Sequence, residues 1–562
     1  MADMKGKSRD DIIAADVKEL HKLGYAQQLF REMGGFSNFA ISFSIISILT
    51  GAMLLYGYGL KFAGPMINTI GWPLVSIFTM IIAASMAEIA SAYPTAGGLY
   101  YWASRLGSVG WGWVTAWMNM VGQVTITAGI NIGAAIYFIG MLTRMFALDP
   151  ATPVLGGIFG WTLTSWGFYI FIMVVIMIPQ VLINIYGIKL TAKMNDFSVY
   201  WHIGGVLVIA ALLTFFGKNH QPVSFVTQYV NTVLPIDAVS GTYTDGSGAG
   251  PALFVGAWVL RSPLFSIIPG LTNFYTLAPF VLVFPLAFLQ AQWTYTGYDA
   301  SAHVAEETVL ARLNSAWGVF LSVAVSAVVG YIVLMAFTFN VPDIAATAAD
   351  PYPVLFIAYS GLSAFMANLV AIIVFGGMWL CGLATVTSMS RMFFAFARDD
   401  GMPFSSAFRF IHQKLRTPTK SILITSVLAV LTCMYAAAYW AVTSISTITL
   451  YIAYNTPVFL NVRNKLRKRG EFTTRENAPW NLKGWGPFLN IVAVVYTIII
   501  CVVLMLPPNE IVLWTMVLFV LILVVYWFAW ARKNFTGPKK ASEEELRKIE
   551  ADLAAAAKGS GD

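Results

Sequence analysis

The chain has 562 residues and a formal net charge of +7, and 58% of its residues are hydrophobic while only 11% are charged. Soluble globular proteins carry about 25% charged residues. A water-soluble enzyme could not bury so much apolar surface. The long uncharged runs indicate helices that cross a membrane.

Uncharged runs between charged residues predict twelve transmembrane helices, because a helix needs about 20 apolar residues to cross a bilayer. The run 421–462 is long enough for two of them, with a turn expected near Ala438 and Tyr439. Backbone groups in lipid must be satisfied within each segment, so an all-α integral membrane protein follows. In chain order the runs are 33–60, 62–87, 106–143, 165–186, 197–217, the C-terminal half of 262–298, 313–342, 351–390, 421–462, 485–509 and 511–531.

The distribution of Lys and Arg predicts cytoplasmic N- and C-termini in the cell (plasma) membrane. With this orientation, all but four of the 34 basic residues lie in cytoplasmic segments; the exceptions are Lys61, Arg144, Lys218 and Arg261. The basic cluster 463–469 is interpreted as a solvated loop, so the lipid bilayer is an expected partner and nucleic acid is not. The predicted segments outside the core are the cytoplasmic segment 1–32, the external loop 218–278, the basic cytoplasmic loop 464–484, helices 11 and 12 in 485–531, and the cytoplasmic tail 532–562.

Two predicted helices carry matching interruptions, at Thr50-Gly51 in the first and at Thr296-Gly297 in the sixth. The first five helices start inside and the next five start outside, which suggests two inverted repeats, 33–217 and 279–463, in a core of 33–463. Paired broken helices indicate a transporter site at the membrane midplane. Glycine is also common in ordinary membrane helices, which is the alternative explanation.

The two interruptions carry groups that suit a zwitterion or a small cation. An unwound turn in the first helix exposes N–H groups to a carboxylate. The segment 290–299 offers free carbonyls and aromatic ring faces to an ammonium group; an interfacial aromatic belt is the alternative. The predicted substrate contacts are Thr50, Gly51, Ala52, Trp293, Tyr295, Thr296, Gly297 and Tyr298.

Three segments resemble the amino acid–polyamine–organocation (APC) superfamily, most closely its branch of γ-aminobutyrate and choline permeases. They are 85–101 (SMAEIASAYPTAGGLYY), 293–308 (WTYTGYDASAHVAEET) and 390–403 (SRMFFAFARDDGMP). The resemblance spans about 30–535. It implies a five-plus-five inverted repeat (LeuT-like) with helices 1 and 6 broken, and secondary active transport by alternating access of an amino acid or related small amine. The sequence at 49–52 is Leu-Thr-Gly-Ala where Gly-Ser-Gly is frequent, so α-amino acids, γ-aminobutyrate, choline and polyamines all stay open as substrates.

The resemblance also implies an ion site between spans one, five and eight. Sodium-independent relatives carry a lysine inside span five, and His202 lies near that position, 13 residues after Lys189. A histidine has an ordinary pKa of about 6.5, which suits coupling to H⁺; a neutral, packed histidine is the alternative. The hydroxyl groups of Thr50, Ser388 and Ser390 make Na⁺ the second candidate ion, and both symport and exchange stay open.

Ionisable residues inside or beside membrane helices are costly, and they mark function by default. Asp299, Glu306 and Glu307 follow the interruption of the sixth helix, and Glu88 lies near the end of the second. We expect a cytoplasmic gate in which these acids meet Arg391 or Arg398. Topological anchoring of the helix ends is the alternative.

Other classes of protein lack support in the sequence. It has neither a phosphate loop nor a cluster spaced like metal ligands, so we expect no cofactor and no metal. A membrane-embedded enzyme would need a nucleophile and a base close together, and a channel would need a continuous polar pore. The sequence therefore predicts a transporter.

Overall fold

The computed structural model describes residues 8–157, 159–232, 283–435, 439–506 and 509–558. These residues are helical apart from turns, loops and two isolated β-bridges. Nine of the helices in this part of the chain are long and apolar enough to cross a membrane. The predicted all-α membrane fold is confirmed, whereas the count of twelve helices stays a prediction. Most of the predicted external loop, 233–278, and the predicted turn residue Ala438 lie outside the described residues.

The first half of the chain forms a terminal helix followed by the first predicted repeat, whose first helix is in pieces. Its α-helices are α1 (Arg9–Lys22), α2 (Gly35–Ile46), α3 (Gly51–Leu54), α4 (Tyr56–Ala63), α5 (Trp72–Ala92), α6 (Gly98–Leu106), α7 (Val109–Met145), α8 (Trp166–Tyr186), α9 (Ile188–Phe216) and α10 (Val223–Val226). A π-helical turn, Ile67–Gly71, precedes α5, and a 3₁₀ turn, Leu155–Gly157, precedes α8.

The second half repeats the pattern and adds two outer helices and a tail. Its α-helices are α11 (Leu289–Thr294), α12 (Ala300–His303), α13 (Ala311–Thr338), α14 (Ile344–Ala349), α15 (Pro353–Gly361), α16 (Ala364–Arg398), α17 (Ser405–Phe408), α18 (Thr419–Tyr435), α19 (Tyr439–Arg467), α20 (Gly486–Met505), α21 (Glu510–Tyr526), α22 (Arg532–Asn534) and α23 (Glu543–Lys558). The remaining turns are 3₁₀ at Phe284–Phe288, Ala305–Glu307 and Lys483–Trp485, and π-helical at Trp527–Ala531.

The two broken helices run antiparallel to each other, as an inverted repeat requires. Asn38 Nδ2 donates to the carbonyl of Ser301 at 2.9 Å, and Ser42 Oγ donates to the carbonyl of Tyr298 at 2.9 Å. Further along, Gly51 faces Thr294. Residue numbers rise along one helix while they fall along the other. The predicted fold with broken helices 1 and 6 is thus confirmed.

The core lies around the broken helices, and the outer helices face lipid. In the most apolar windows of α7 and α16, 89% and 72% of the residues are buried, against 39% in α8 and 17% in α21. A helix that is apolar on all sides and mostly uncovered suits contact with hydrocarbon rather than with water. The inner helices can carry polar residues because neighbouring helices supply hydrogen-bond partners.

The two terminal helices, α1 and α23, lie at one end of the bundle, named here the terminal face. His21 of α1 contacts Glu550 of α23, and the carbonyl of Gly24 accepts a hydrogen bond of 2.9 Å from the Ala541 N–H. The opposite end carries Lys61, whose carbonyl accepts a hydrogen bond of 2.9 Å from the N–H of Thr232. The broken helices therefore lie between two structurally different ends.

Candidate functional site

The first helix is interrupted at Ser47, where α2 ends. The backbone of Ser47 has φ 18° and ψ 88°, outside the helical region, and helix resumes at Gly51. The break therefore precedes its predicted position, and Gly51 and Ala52 are helical rather than unwound. Among the described residues, no hydrogen bond uses the backbone N–H groups of Ile48, Leu49 or Ala52. These buried donors are available to an anionic group.

The residue type at position 51 is set by the close approach of the sixth helix. A Cβ atom at Gly51 would lie 2.7 Å from the Thr294 Cα, a backbone atom that cannot rotate away. Only glycine fits there without moving one helix. The two breaks are consequently held face to face.

The sixth helix is interrupted between α11 and α12, as the sequence predicts. Gly297 has φ +92°, a left-handed conformation that favours glycine. A Cβ atom there would also lie 2.1 Å from the Ile45 Cγ2. Thr296 Oγ1 donates to the carbonyl of Trp293 at 2.5 Å. The carbonyls of Tyr295 and Thr296 accept no hydrogen bond within the described residues.

The three predicted aromatic contacts are all buried, with exposed fractions of 2% for Trp293 and 0% for Tyr295 and Tyr298. Trp293 Nε1 donates to Ser446 Oγ at 3.0 Å, and the Tyr295 hydroxyl lies 2.6 Å from Ser76 Oγ. An interfacial aromatic belt would be exposed at the headgroup level. Burial disfavours that alternative, because the rings belong to the interior of the bundle.

Asp299 is the centre of a buried polar cluster rather than a partner of the gate arginines. Its Oδ2 accepts hydrogen bonds from Asn119 Nδ2 at 2.9 Å and Gln123 Nε2 at 3.1 Å, and lies 2.9 Å from His303 Nε2. The Tyr454 hydroxyl donates to Oδ1 at 2.9 Å. The carboxylate is stable in the interior because every face of it meets a polar group.

The sequence interpretation missed the members of this cluster that lie on α7 and α19. Asn119 and Gln123 are four residues apart in an apolar helix, and that spacing places them on one face, which is a usable signal. The signal for Tyr454 was absent because its helix holds several tyrosines. Two buried atoms beside the cluster, the Tyr298 hydroxyl and Asn119 Oδ1, have no hydrogen-bond partner within the described residues.

The predicted acidic and basic gate residues form two separate buried ion pairs at the terminal face. Arg398 binds Glu306 with two hydrogen bonds, of 2.9 and 3.0 Å, and Arg391 binds Glu307 at 3.2 and 3.3 Å. Bidentate pairs of this kind fix both distance and orientation. They join the end of α16 to the turn that follows the broken sixth helix.

Glu88 does not join these pairs. Its carboxylate accepts a hydrogen bond of 2.7 Å from Lys465 Nζ at the end of α19. The N–H of Leu482 lies 3.4 Å from the same carboxylate. Glu88 binds Lys465 because α5 ends beside α19 and the basic loop, not beside α16. Glu88 therefore connects helix ends in the manner of the anchoring alternative.

The segment that precedes α2 covers the terminal face beneath the ion pairs. Gln27 Nε2 donates to the carbonyl of Glu306 at 2.7 Å, and Arg31 donates to the carbonyl of Thr308 at 2.5 Å. The Tyr25 hydroxyl donates to Asp399 at 2.8 Å. Burial, and next the charge of Asp399, raise the pKa of Tyr25 well above its ordinary value, so its hydroxyl keeps the proton that it donates.

His202 contacts the break of the first helix directly. Its Nε2 lies 2.7 Å from Ser47 Oγ, which lies 2.7 Å from Thr50 Oγ1. Its Nδ1 lies 2.8 Å from the carbonyl of Ser198. The imidazole thus spans α9 and the unwound turn.

The structure does not bring Ser388 and Ser390 to this position. A Cβ atom at Gly377 of α16 would lie 3.3 Å from His202 Nε2, and Ser388 is 11 residues further along that helix, a rise of about 16 Å. Ser390 Oγ instead donates to the carbonyl of Thr387 at 2.9 Å and accepts from Arg391 at 3.1 Å. Ser388 Oγ is buried without a partner among the described residues.

A bundle of membrane helices with two facing, interrupted helices at its centre defines a membrane transporter. A family model described as amino acid permease matches residues 33–529. The chain is 32% identical over 548 residues to the amino-acid permease BAT1 of Arabidopsis thaliana, covering 92% of this chain and 95% of that protein. It is 24% identical over 565 residues to a putative polyamine transporter of Candida albicans, covering 96% and 91%.

The crystal structure of MhsT in complex with L-phenylalanine resembles the chain with a TM-score of 0.51 and 14% identity, over 85% of this chain and 99% of that one. At this identity the likeness concerns the fold, which is LeuT-like. The chain belongs to the amino acid permease family, within the APC superfamily. It is a multi-pass membrane protein and a transporter, not an enzyme, as the sequence predicted.

The buried pair Glu306–Arg398 generates a stability prediction. Arg398→Gln leaves a fully buried carboxylate without its counter-charge, and we expect a loss of about 3–5 kcal/mol of stability. The control Arg409→Gln removes a pair with Asp400 whose side chains are 46% and 38% exposed, and should cost at most about 1 kcal/mol. Thermal denaturation of the detergent-solubilised protein measures both. Equal shifts in the two variants would contradict the prediction.

Proposed function

We propose that the chain is a secondary active transporter that moves an amino acid or a related small amine by alternating access. The observation that carries this proposal is the pair of facing breaks. One offers unpaired N–H groups, at Ile48, Leu49 and Ala52, and the other offers unpaired carbonyls, at Tyr295 and Thr296. A zwitterion presents the complementary charges, a carboxylate to the first break and an ammonium group to the second.

The ammonium group would lie among the sixth-helix carbonyls and the buried aromatic rings. Trp293 and Tyr298 provide ring faces, and the Tyr298 hydroxyl has no partner within the described residues. The charge of Asp299, one residue further on, attracts a cation electrostatically. The names of the relatives, amino-acid permeases and a putative polyamine transporter, favour amines with or without a carboxylate. The preferred substrate is an amino acid, and γ-aminobutyrate, choline and polyamines are the alternatives.

Replacement of Trp293 tests the substrate site. We expect Trp293→Ala to abolish uptake, or to reduce it at least tenfold, because it removes a ring face and opens a void beside the sixth-helix break. A thermal-shift screen of amino acids, γ-aminobutyrate, choline and polyamines on the purified protein identifies the ligand first. Uptake of that ligand into liposomes then measures the variant.

The matched control is Trp514→Ala, which removes a tryptophan that is 49% exposed on the lipid-facing α21. It should transport normally and retain the thermal shift. Normal uptake by Trp293→Ala at equal membrane abundance would reject the site.

Transport requires the terminal face to open and close, and the two ion pairs are suited to that role. Arg391–Glu307 and Arg398–Glu306 connect the end of α16 to the turn after the broken sixth helix. Their opening would release α16 from that turn. The acids follow Gly297 within ten residues, so that a shift of the sixth helix on binding would reach them. The burial of both ion pairs supports the proposal of a gate at this position.

We further propose that transport is coupled to H⁺ through His202. Protonation would convert Nε2 into a donor toward Ser47 Oγ and so reorder the Ser47–Thr50 hydrogen bond at the break of the first helix. A proton on the histidine would thereby bias the shape of the substrate site. Na⁺ is the alternative ion. Of its predicted ligands, only Thr50 lies at the first-helix break. Ser388 and Ser390 lie about three turns of α16 beyond the point at which that helix faces His202, which favours H⁺.

The coupling proposal predicts the sign of the pH dependence. Uptake into liposomes should rise as the external pH falls, because more of the histidine is then protonated on the loading side. His202→Lys should flatten the pH profile, and His202→Ala should lose concentrative uptake while it retains exchange, which needs no net proton movement. The measurement is made with an imposed pH gradient, with and without Na⁺. A rate that ignores the gradient but requires Na⁺ would reject His202.

We propose that the protein lies in the plasma membrane with its terminal face in the cytoplasm. Ser224 lies exposed at the opposite end, and Arg475 lies exposed in the basic loop. The native cysteines at 381, 433 and 501 are buried, so background labelling should be low. We expect an impermeant maleimide to label Ser224→Cys on intact cells and Arg475→Cys only after permeabilisation. The reverse pattern would invert the orientation.

A further inference from the structure

An apolar groove of about 360 Å³ lies between the start of α7 and the end of α21. It opens near the terminal face, where α7 begins and where the chain continues from α21 toward the tail. Its walls are mainly aromatic and aliphatic. The lining includes Ser108, Trp111, Trp113, Val524, Trp527 and Phe528.

The local backbone shapes this groove. A Cβ atom at Gly110 would lie 3.3 Å from the Trp527 Cζ2, so glycine allows the indole of Trp527 to approach α7 closely. The centres of the Trp113 and Trp527 rings lie 5.3 Å apart. Trp527 begins a π-helical turn, Trp527–Ala531, and such turns are often found at functional sites.

Buried polar atoms in and beside the groove have no partner. They are Trp113 Nε1, Trp117 Nε1 and the Tyr526 hydroxyl, within the residues that the structure describes. Elsewhere buried indoles are paired: Trp102 Nε1 donates to the carbonyl of Tyr93 at 2.8 Å. Trp113 itself is fully buried and lines the groove. An unmet donor in an apolar groove points to a ligand that carries an acceptor oxygen.

Two basic residues follow the groove-lining residues Trp527 and Phe528 in the chain. Arg532 and Lys533 follow the π-helical turn directly and are exposed. Basic residues at the end of a membrane helix attract anionic lipid headgroups. An apolar groove, a hydrogen-bond donor and a nearby cationic segment are the features that an anionic phospholipid requires.

We propose that this groove binds one phospholipid with an anionic headgroup. An acyl chain would occupy the space between Trp111, Trp113 and Phe528, and an ester carbonyl would accept the hydrogen bond of Trp113 Nε1. The phosphate would meet Arg532 and Lys533. Such a lipid would hold the outer helix α21 against α7, which belongs to the transport core.

Native mass spectrometry of the full-length protein, titrated with phosphatidylglycerol or phosphatidylcholine, tests the proposal. We expect one phosphatidylglycerol to be retained in preference to phosphatidylcholine. Each basic residue near the headgroup contributes a factor of about five, so the double variant Arg532→Gln/Lys533→Gln should bind about 25-fold more weakly. Trp113→Phe, which keeps the ring but removes the N–H, should bind about fivefold more weakly.

The control is Lys189→Gln/Lys193→Gln, which removes two exposed charges from the start of α9, away from the groove. This variant should bind phosphatidylglycerol as the wild type does. Three results would overturn the proposal: equal retention of phosphatidylcholine, unchanged phosphatidylglycerol binding in both groove variants, or an equal loss in the control. The exposed double variant keeps the test open if Trp113→Phe fails to fold.

Discussion

Hydrogen bonding of the backbone in a membrane is the constraint on which the rest of this structure depends. Peptide groups in lipid must be satisfied within a helix, so irregular backbone survives only where protein covers it. Here the two interrupted segments are packed against each other and enclosed by α7, α16 and α19. Gly51 can contact Thr294 only because glycine has no side chain. Enclosure keeps the unpaired N–H and carbonyl groups away from lipid, at the position where we propose that the substrate binds.

The same logic explains the polar cluster around Asp299. A charge in the interior of a membrane protein is stable only with partners that stay in place. Asn119, Gln123, His303 and Tyr454 surround the carboxylate, and they come from α7, α12 and α19. Hydrogen bonds of this cluster therefore connect the sixth-helix break to α7 and α19. The adjacent ion pairs with Arg391 and Arg398 extend this polar connection to the terminal face, so the sixth-helix break and both ion pairs lie on one segment of the chain.

Particular residues show how far the sequence leads. Gly297 was predicted at the break, and its left-handed φ agrees, because interruptions at matching positions of two membrane helices are the signal for paired breaks. The gate acids Glu306 and Glu307 were also predicted to meet arginines, since charges in a membrane need partners. Which arginine each acid meets depends on which helix ends are neighbours. For the same reason Glu88 binds Lys465 rather than an arginine of α16. No local sequence pattern shows which helix ends lie next to each other.

The sequence by itself determined the membrane class, the helical architecture, the two interruptions and the family motifs, because composition, apolar run length and helix-breaking residues act locally. Only the tertiary structure decided that the first break begins at Ser47 and that His202 touches it while Ser388 does not. It also placed Asn119 and Gln123 beside Asp299 and formed the groove at Trp113. The physical reason is that these features are contacts between helices far apart in the chain, and such contacts depend on how the helices pack.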